Sequence, residues 1–369
     1  MGKRKWSLRL NYFGCYSQLN TLLPDLRIII LCIMLFSMVT TGCINDRWEY
    51  VCQYPYLHEA NDIWFTENTG LFAGWHMNLD NMNVKDIVDN RWMSREAVIL
   101  KTELNTHDNW IKTYSGNGEI LQLLPVDNVT FLSLGREYDA NGKARAFLLI
   151  SNDTGETWKM LPEPPDLFDG IACYKDNTVY GWTGETAFVS KDIGVNWICI
   201  NGNLPINNSE AKPIVNDKGI LWLVSKGRIV GLSADGTKQD EQIKEKIKID
   251  CFANSQEGTL WVIGRGGKNF AENVLLIKRE AAHVYKVVSR LPYFLPRNLW
   301  VGHGVINVWG TDMNESPPAR LLMISSDRGL SWSEEKPKDI YAHGPVFFEN
   351  DQIIWNVATK DRIQRRGVR

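Results

Sequence analysis

Three aspartates stand in the same local context and are the first residues in this chain that could do chemistry. They are Asp153, Asp192 and Asp327, each two residues after a serine and two before a glycine. A set of carboxylates is the usual starting point for general acid–base work. Their surroundings give them another task. Ser151-Asn-Asp153-Thr-Gly155-Glu-Thr-Trp158, Ser190-Lys-Asp192-Ile-Gly194-Val-Asn-Trp197 and Ser325-Ser-Asp327-Arg-Gly329-Leu-Ser-Trp332 are one pattern used three times. Aspartate can accept backbone N–H groups of its own turn, glycine supplies the positive φ of a tight hairpin, and tryptophan closes the turn as an apolar plug. Each carboxylate is therefore expected to be used up structurally.

The remaining reactive residues form no recognisable constellation. The six histidines, at 58, 76, 107, 283, 303 and 343, are scattered without zinc-like spacing. Gly264-Arg-Gly-Gly-Lys268 lacks the first glycine of a phosphate loop at the required distance, and Asn269 replaces its Ser/Thr, so a hairpin loop is expected there. No acidic pair stands out as a catalytic couple, and no Ser/His/Asp order can be assigned. No cofactor is expected.

The elements that carry these turns repeat. A decayed copy, Asn105-Thr-His107-Asp-Asn-Trp110, precedes the three, and Ser233-Ala-Asp235-Gly236-Thr is the remnant of another. The closing tryptophans at 110, 158, 197 and 332 are spaced by 48, 39 and 135 residues, the last interval holding three periods. A second series, Trp75, Trp182, Trp222, Trp261, Trp309 and Trp355, ends or sits within short β-like runs, with Val129-Thr-Phe-Leu-Ser-Leu134 filling the missing place. These tryptophans are expected in the core, between repeats. Seven units of about 40–50 residues with turn signals and no helical periodicity predict a propeller. In the third unit the strands are expected at 170–174, 178–182, 187–190 and 197–200.

The S-x-D-x-G-x-T-W pattern resembles the Asp-box (BNR) repeat of the sialidase-like and photosystem II assembly-factor-like β-propellers. The resemblance covers roughly residues 58–360 and implies architecture more than chemistry. Sialidases of that superfamily open an arginine triad with an R-I-P motif, which is absent here; Leu295-Pro296-Arg297-Asn298 is not equivalent. The fold expected is all-β: a seven-bladed β-propeller with Asp-box hairpins, its ring closed by the N-terminal strand-like stretch 47–56. The basic tail 362–369 is expected to fray.

Binding residues are expected where the units vary, in the loops between second and third strands. These are 76–94, 135–144, 265–273 and 311–318, all on the face opposite the Asp-boxes. Loop elaboration on one side of a rigid scaffold is where binding concentrates, and arginine, tyrosine and tryptophan dominate interfaces. Arg91, Trp92, Arg136, Glu137, Tyr138, Arg265, Lys268 and Asp312 are the candidates.

The N-terminus reads as a targeting segment. Residues 28–39 are apolar apart from Ser37 and follow Lys3, Arg4, Lys5, Arg9 and Arg27. Such a run is short for a membrane span and suits a signal-peptide core. Thr40-Thr-Gly42-Cys43 then resembles a bacterial lipobox, with Cys43 as the lipidated first residue. Ile44 rather than aspartate behind it favours the outer membrane. From residue 43 onward there are 36 basic and 42 acidic residues, which argues against nucleic acid as a partner. Cys52, Cys173, Cys199 and Cys251 remain, on strands expected too far apart to bridge.

The organisation expected is thus a signal peptide over 1–42, an anchor and closing strand over 43–57, and the propeller over 58–369. The expected role is an envelope lipoprotein, membrane-held through its lipid and facing the periplasm. It would bind or help assemble an envelope protein without catalysis. A glycoside hydrolase acting on extracellular glycans and an immunity-type lipoprotein neutralising a toxin are the alternatives.

Overall fold

The computed structural model describes residues 48–366 apart from 54–58, 67, 78–94, 104–109, 140, 203–210, 226, 303, 317, 337–345, 349–353 and 360–361. Trp48–Arg369 forms one compact unit. Signal-peptide and lipobox residues, Arg91, Trp92 and the decayed turn at 105–109 lie outside the described residues.

The described strands form seven four-stranded antiparallel sheets. Six are built from consecutive strands. The first is β2 (Glu59–Phe65), β3 (Thr69–Met77), β4 (Arg95–Glu103) and β5 (Trp110–Asn117); the second is β6 (Glu119–Pro125), β7 (Phe131–Tyr138), β8 (Ala144–Ser151) and β9 (Lys159–Met160). The third is β10 (Gly170–Tyr174), β11 (Thr178–Trp182), β12 (Ala187–Ser190) and β13 (Ile198–Asn201), and the fourth β14 (Ile214–Val215), β15 (Leu221–Ser225), β16 (Arg228–Leu232) and β17 (Lys238–Glu241). The fifth is β18 (Ile247–Asn254), β19 (Leu260–Gly266), β20 (Asn273–Ala281) and β21 (Val284–Leu291); the sixth is β22 (Leu295–Val301), β23 (Ile306–Asp312), β24 (Ala319–Ser325) and β25 (Ser333–Glu335). The remaining sheet is composite. It orders β26 (Val346–Phe348), β27 (Ile354–Thr359) and β28 (Arg362–Arg366) outward and adds β1 (Trp48–Gln53) antiparallel to β28. The tail through Arg366 is thus an inner partner of a sheet, not a frayed end, because β1 and β27 saturate its backbone from both sides.

This is a β-propeller. Second and third strands are buried almost throughout, as in β12 and β15, whereas the outer strands β9 and β13 are largely exposed. A sheet covered on both faces by its neighbours produces continuous apolar runs such as Ala97-Val-Ile-Leu100. Each interface holds its own core. Leu71, Ile99, Phe131 and Leu149 join the first sheet to the second, and Phe168, Ile171 and Leu148 the second to the third. Tyr180, Trp182, Leu221 and Leu223 join the third to the fourth. Trp222 and Val262 continue the series, then Trp261 and Val308. Trp309, Leu322 and Ile354 join the sixth sheet to the composite one, whose Phe347 meets Trp64 of the first at 6.3 Å between ring centroids.

The three repeated turns all connect third to fourth strands, and their hydrogen bonding is the same. Ser151 Oγ donates to Asp153 Oδ1 at 2.7 Å and accepts the Gly155 N–H at 2.8 Å; Asp153 Oδ1 accepts the Thr157 N–H at 2.9 Å. Ser190 and Asp192 repeat this with Gly194 and Asn196, and Ser325 and Asp327 with Gly329 and Ser331. The serine's double role was not apparent from sequence. Two successive residues take positive φ, Thr154 and Gly155 at 57° and 80°, Ile193 and Gly194 at 55° and 85°, Arg328 and Gly329 at 60° and 90°. The first of each pair is not glycine, so the carboxylate and serine bonds hold it in a region that branched side chains avoid.

Each closing tryptophan packs under its turn. Trp158 Nε1 donates to Thr113 Oγ1 of the preceding sheet at 3.2 Å, and Trp332 Nε1 to Ser289 Oγ at 3.0 Å.

Acid is expected to loosen these turns. Hydrogen bonds from Asn196 hold Asp192 below the usual carboxylate range, and those from Ser331 bring Asp327 to about 2. Asp153 is held low by Thr157 although burial pushes it up. Because the folded values lie below the unfolded value of about 4, their stabilisation is complete above pH ~4 and is lost as pH falls through the folded values. The melting temperature should drop steeply between pH ~4 and ~2, and Asp327→Asn should flatten that limb. An unchanged slope in this variant would contradict the assignment.

Candidate binding face

Antiparallel strand order puts first-to-second and third-to-fourth turns on one face of the ring. The backbone confirms it: Thr154, Ile193 and Arg328 N–H groups donate to the carbonyls of Val129, Asn177 and Gly304 in the first-to-second turns. Second-to-third loops and the connections between sheets share the opposite face. All six described candidates lie toward that face, but five of them are in strands. Arg136, Glu137 and Tyr138 belong to β7 and pair with Ala146, Arg145 and Ala144 of β8. Arg265 is next to last in β19 and Asp312 ends β23; only Lys268 lies in a loop, in a 3-10 turn, and it is exposed. The expected insertions at 135–144, 265–273 and 311–318 are therefore shorter, because polar residues continue the hairpin ladders.

The structure places five of these six residues, all but Lys268, in three separate groups. Asp312 is held by Lys336 at 3.1 Å, which also pairs with Glu315 at 2.6 Å. Arg265 makes a two-pronged pair with Asp250 of inner strand β18, at 2.8 to 3.1 Å. Burial raises the Asp250 carboxyl even against this guanidinium. Asp62, on inner strand β2, is likewise raised by burial, although it accepts the N–H groups of Ile63 and Leu123, both at 2.9 Å.

The third group is the densest. Arg136 reaches Asp169 at 3.5 Å. Tyr138 donates to Glu119 Oε1 at 2.9 Å, while Arg95 holds Oε2 of the same buried carboxylate and lies 4.3 Å over the Trp75 ring. Burial, then Glu119, raises the Tyr138 hydroxyl. In front of this layer Arg145 pairs with Glu137, its Nε at 2.7 Å, and with Glu163 at 3.5 Å. Of these, Glu137, Tyr138, Arg145 and Glu163 line a recess of about 810 Å³ between the β7–β8 hairpin of the second sheet and the connection that follows β9, whose far wall is Glu163-Pro164-Pro165-Asp166-Leu167. Sequence reading missed Arg145, Glu163 and this wall. The Pro-Pro pair, a strong marker of rigid irregular backbone, was the available signal. Chemically the recess offers paired charges, a phenol and proline surfaces on rigid strands.

Tyr138→Phe tests this layer. It leaves Glu119 short of one donor inside the fold, which should cost roughly 1–3 kcal/mol. Denaturant unfolding measures it, and a loss below experimental error would mean that Tyr138 is not a support of the recess.

No protein-family model matches this chain, and no curated protein matches it in sequence. Solved structures do. YCF48 bound to a D1 peptide is similar at a TM-score of 0.59 and 14% identity, over 88% of this chain and 98% of that one. YCF48 from Cyanidioschyzon merolae gives 0.59 and 12%, over 87% and 98%. The GH74 xyloglucanase from Xanthomonas campestris gives 0.60 and 11%, over 87% of this chain but 53% of that one, so the chain spans about half of that enzyme. At these identities the likeness is one of fold, and the class it defines is the β-propeller.

Proposed function

We propose that this chain is a non-catalytic, protein-binding β-propeller of the Asp-box type, a ring of seven blades in which the composite sheet is the seventh. It engages a segment of another envelope protein through the face opposite the Asp-box turns. The observation that carries this reading is the recess between the β7–β8 hairpin and the connection 163–167. Its walls are strands and a proline-stiffened connection, and Arg145, the guanidinium at its rim, is 61% exposed while already oriented by two carboxylates. Preorganised, exposed arginine beside tyrosine suits protein recognition. YCF48, a propeller of the same fold, has been seen with a peptide bound. A photoreactive residue at Lys143 in the recess is expected to capture a discrete protein in cells, and one at Leu330, 82% exposed on the turn face, is not. Capture from Leu330 alone would reverse the functional face.

The same reading includes a signal peptide over 1–42, a lipid on Cys43 and residence in the bacterial envelope. Cys43→Ser should abolish metabolic lipid labelling and leave the protein soluble or uncleaved. Labelling that survives the substitution would remove the anchor from the account.

A hydrolase is the second reading, and the raised carboxyls of Asp62 and Asp250 on inner strands favour it. Both are engaged, Asp250 by Arg265 and Asp62 by two backbone N–H groups. Glycan cleavage lost in Asp250→Asn would establish it over the binding reading.

A further inference from the structure

The outer edge of β8 is open where it borders the recess. β8 has 8 residues, but its outer partner β9 has 2, paired at Leu149 and Ile150. A last bond runs from the Leu161 N–H to the Leu148 carbonyl at 2.9 Å. In the first and fifth sheets the fourth strand instead accompanies the third over 96–102 and 274–281. The sequence after β9 is the cause. Pro162, Pro164 and Pro165 have no N–H to donate and restrict the residues before them. Continued one for one, the ladder would put Glu163 opposite Ala146 and Pro165 opposite Ala144, yet no described backbone hydrogen bond joins 162–167 to β8. Antiparallel alternation decides which groups are left over. The Asp139 N–H donates to the Lys143 carbonyl across the hairpin at 3.0 Å, so 143, 145 and 147 turn their peptide groups toward β7. Leu148 points the other way, and with it Ala144 and Ala146. The main-chain N–H and C=O groups of these two alanines have no hydrogen-bond partner among the described residues, and both alanines line the recess. They stand about 7 Å apart along the strand, a spacing that another extended backbone matches. Side chains sort by face. Ala146 packs on one side with Leu161 and Leu167, and Arg145 lies on the other beside Glu137.

We propose that the recess takes its protein partner as an added β-strand, antiparallel to β8 and bonded to Ala144 and Ala146. This deepens the protein-binding reading above and rests on it. The segment bound is extended and has no proline at the two positions facing those alanines. Its apolar side chains lie on the Ala146 and Leu167 side, and its polar ones alternate with them on the Arg145 side. It occupies the place in the sheet that the chain leaves after Leu161. Main-chain bonds hold the segment, and the alternation selects it.

The test uses the full-length chain, isotope-labelled at its alanines, and short synthetic peptides that alternate valine with threonine. Peptide should slow amide exchange at Ala144 and Ala146 severalfold and leave Ala97 of β4 and Ala187 of β12 unchanged. In antiparallel pairing the valines share the Ala146 side and turn their N–H groups toward β8. N-methylation of the valines should therefore weaken binding at least tenfold, and N-methylation of the threonines should not. Ala146→Pro removes an outward N–H without a bond to β7 and should act like valine methylation. The methylated peptides bind the unsubstituted chain, so a variant that fails to fold does not blunt the test. No slowing at Ala144 and Ala146 with millimolar peptide, or equal losses from valine and threonine methylation, would overturn the proposal. Cellular capture from Lys143 separates the two readings. Capture without slowing at the alanines overturns only strand addition, and slowing without capture overturns only the envelope-protein partner.

Discussion

Truncating Trp182 to alanine is expected to lower stability by about 3–5 kcal/mol, the usual cost of removing a buried large aromatic. The ring is 1% exposed and sits in the interface between the third and fourth sheets, with Tyr180, Leu221, Leu223 and Val230. It lies on bare backbone: a Cβ built on Gly170 would fall 2.2 Å from the indole. Nothing can move in to fill the space cheaply, because each sheet is fixed by a packed interface on both sides and Tyr180 is tied to the Gly219 carbonyl at 2.6 Å. Denaturant unfolding should show the loss as a lower midpoint. A cost under about 1.5 kcal/mol would mean that the interface collapses around the vacancy, and the blades would then be less rigid than a binding scaffold needs. Partner capture by the fraction that stays folded should be unchanged.

Arg145→Glu is expected to act the other way round. The side chain is more than half exposed and its two ion pairs, with Glu137 and Glu163, are solvent-screened, so the fold should lose little stability. Binding should suffer far more. The substitution places three carboxylates at the rim of the recess, and an arginine at the centre of an interface commonly contributes ~2 kcal/mol or more, about 30-fold in affinity. Titration of the captured partner against both forms measures it. Equal affinity with an unchanged melting temperature would remove Arg145 from the interface.

The architecture was legible because the turns repeat. The strands expected at 170–174, 178–182 and 187–190 are those observed, and the fourth begins one residue later, at Ile198, because Trp197 still belongs to the turn. The site was legible only in part. Gly135-Arg-Glu-Tyr138 reads as a polar loop, yet cross-strand partners in β8 carry it on as a ladder, and no local pattern shows that. Its supports come from far along the chain: Arg95 and Glu119 lie in other strands, and Asp169 and Glu163 in the connection between sheets. Sequence spacing does not reveal such convergence. The basic residues 362–366 looked like a loose end because charge suggested solvation, whereas pairing with β1, more than three hundred residues earlier, makes them a strand.

Amide hydrogen exchange of the chain with and without its captured partner is the most direct test of the protein-binding reading. Binding should slow exchange in the peptides covering 137–146 and 163–167 and leave the turns at 151–158, 190–197 and 325–332 unaffected. Protection confined to those turns, or none anywhere in the propeller, would contradict the claim that this protein works by binding another through the face opposite its repeated turns.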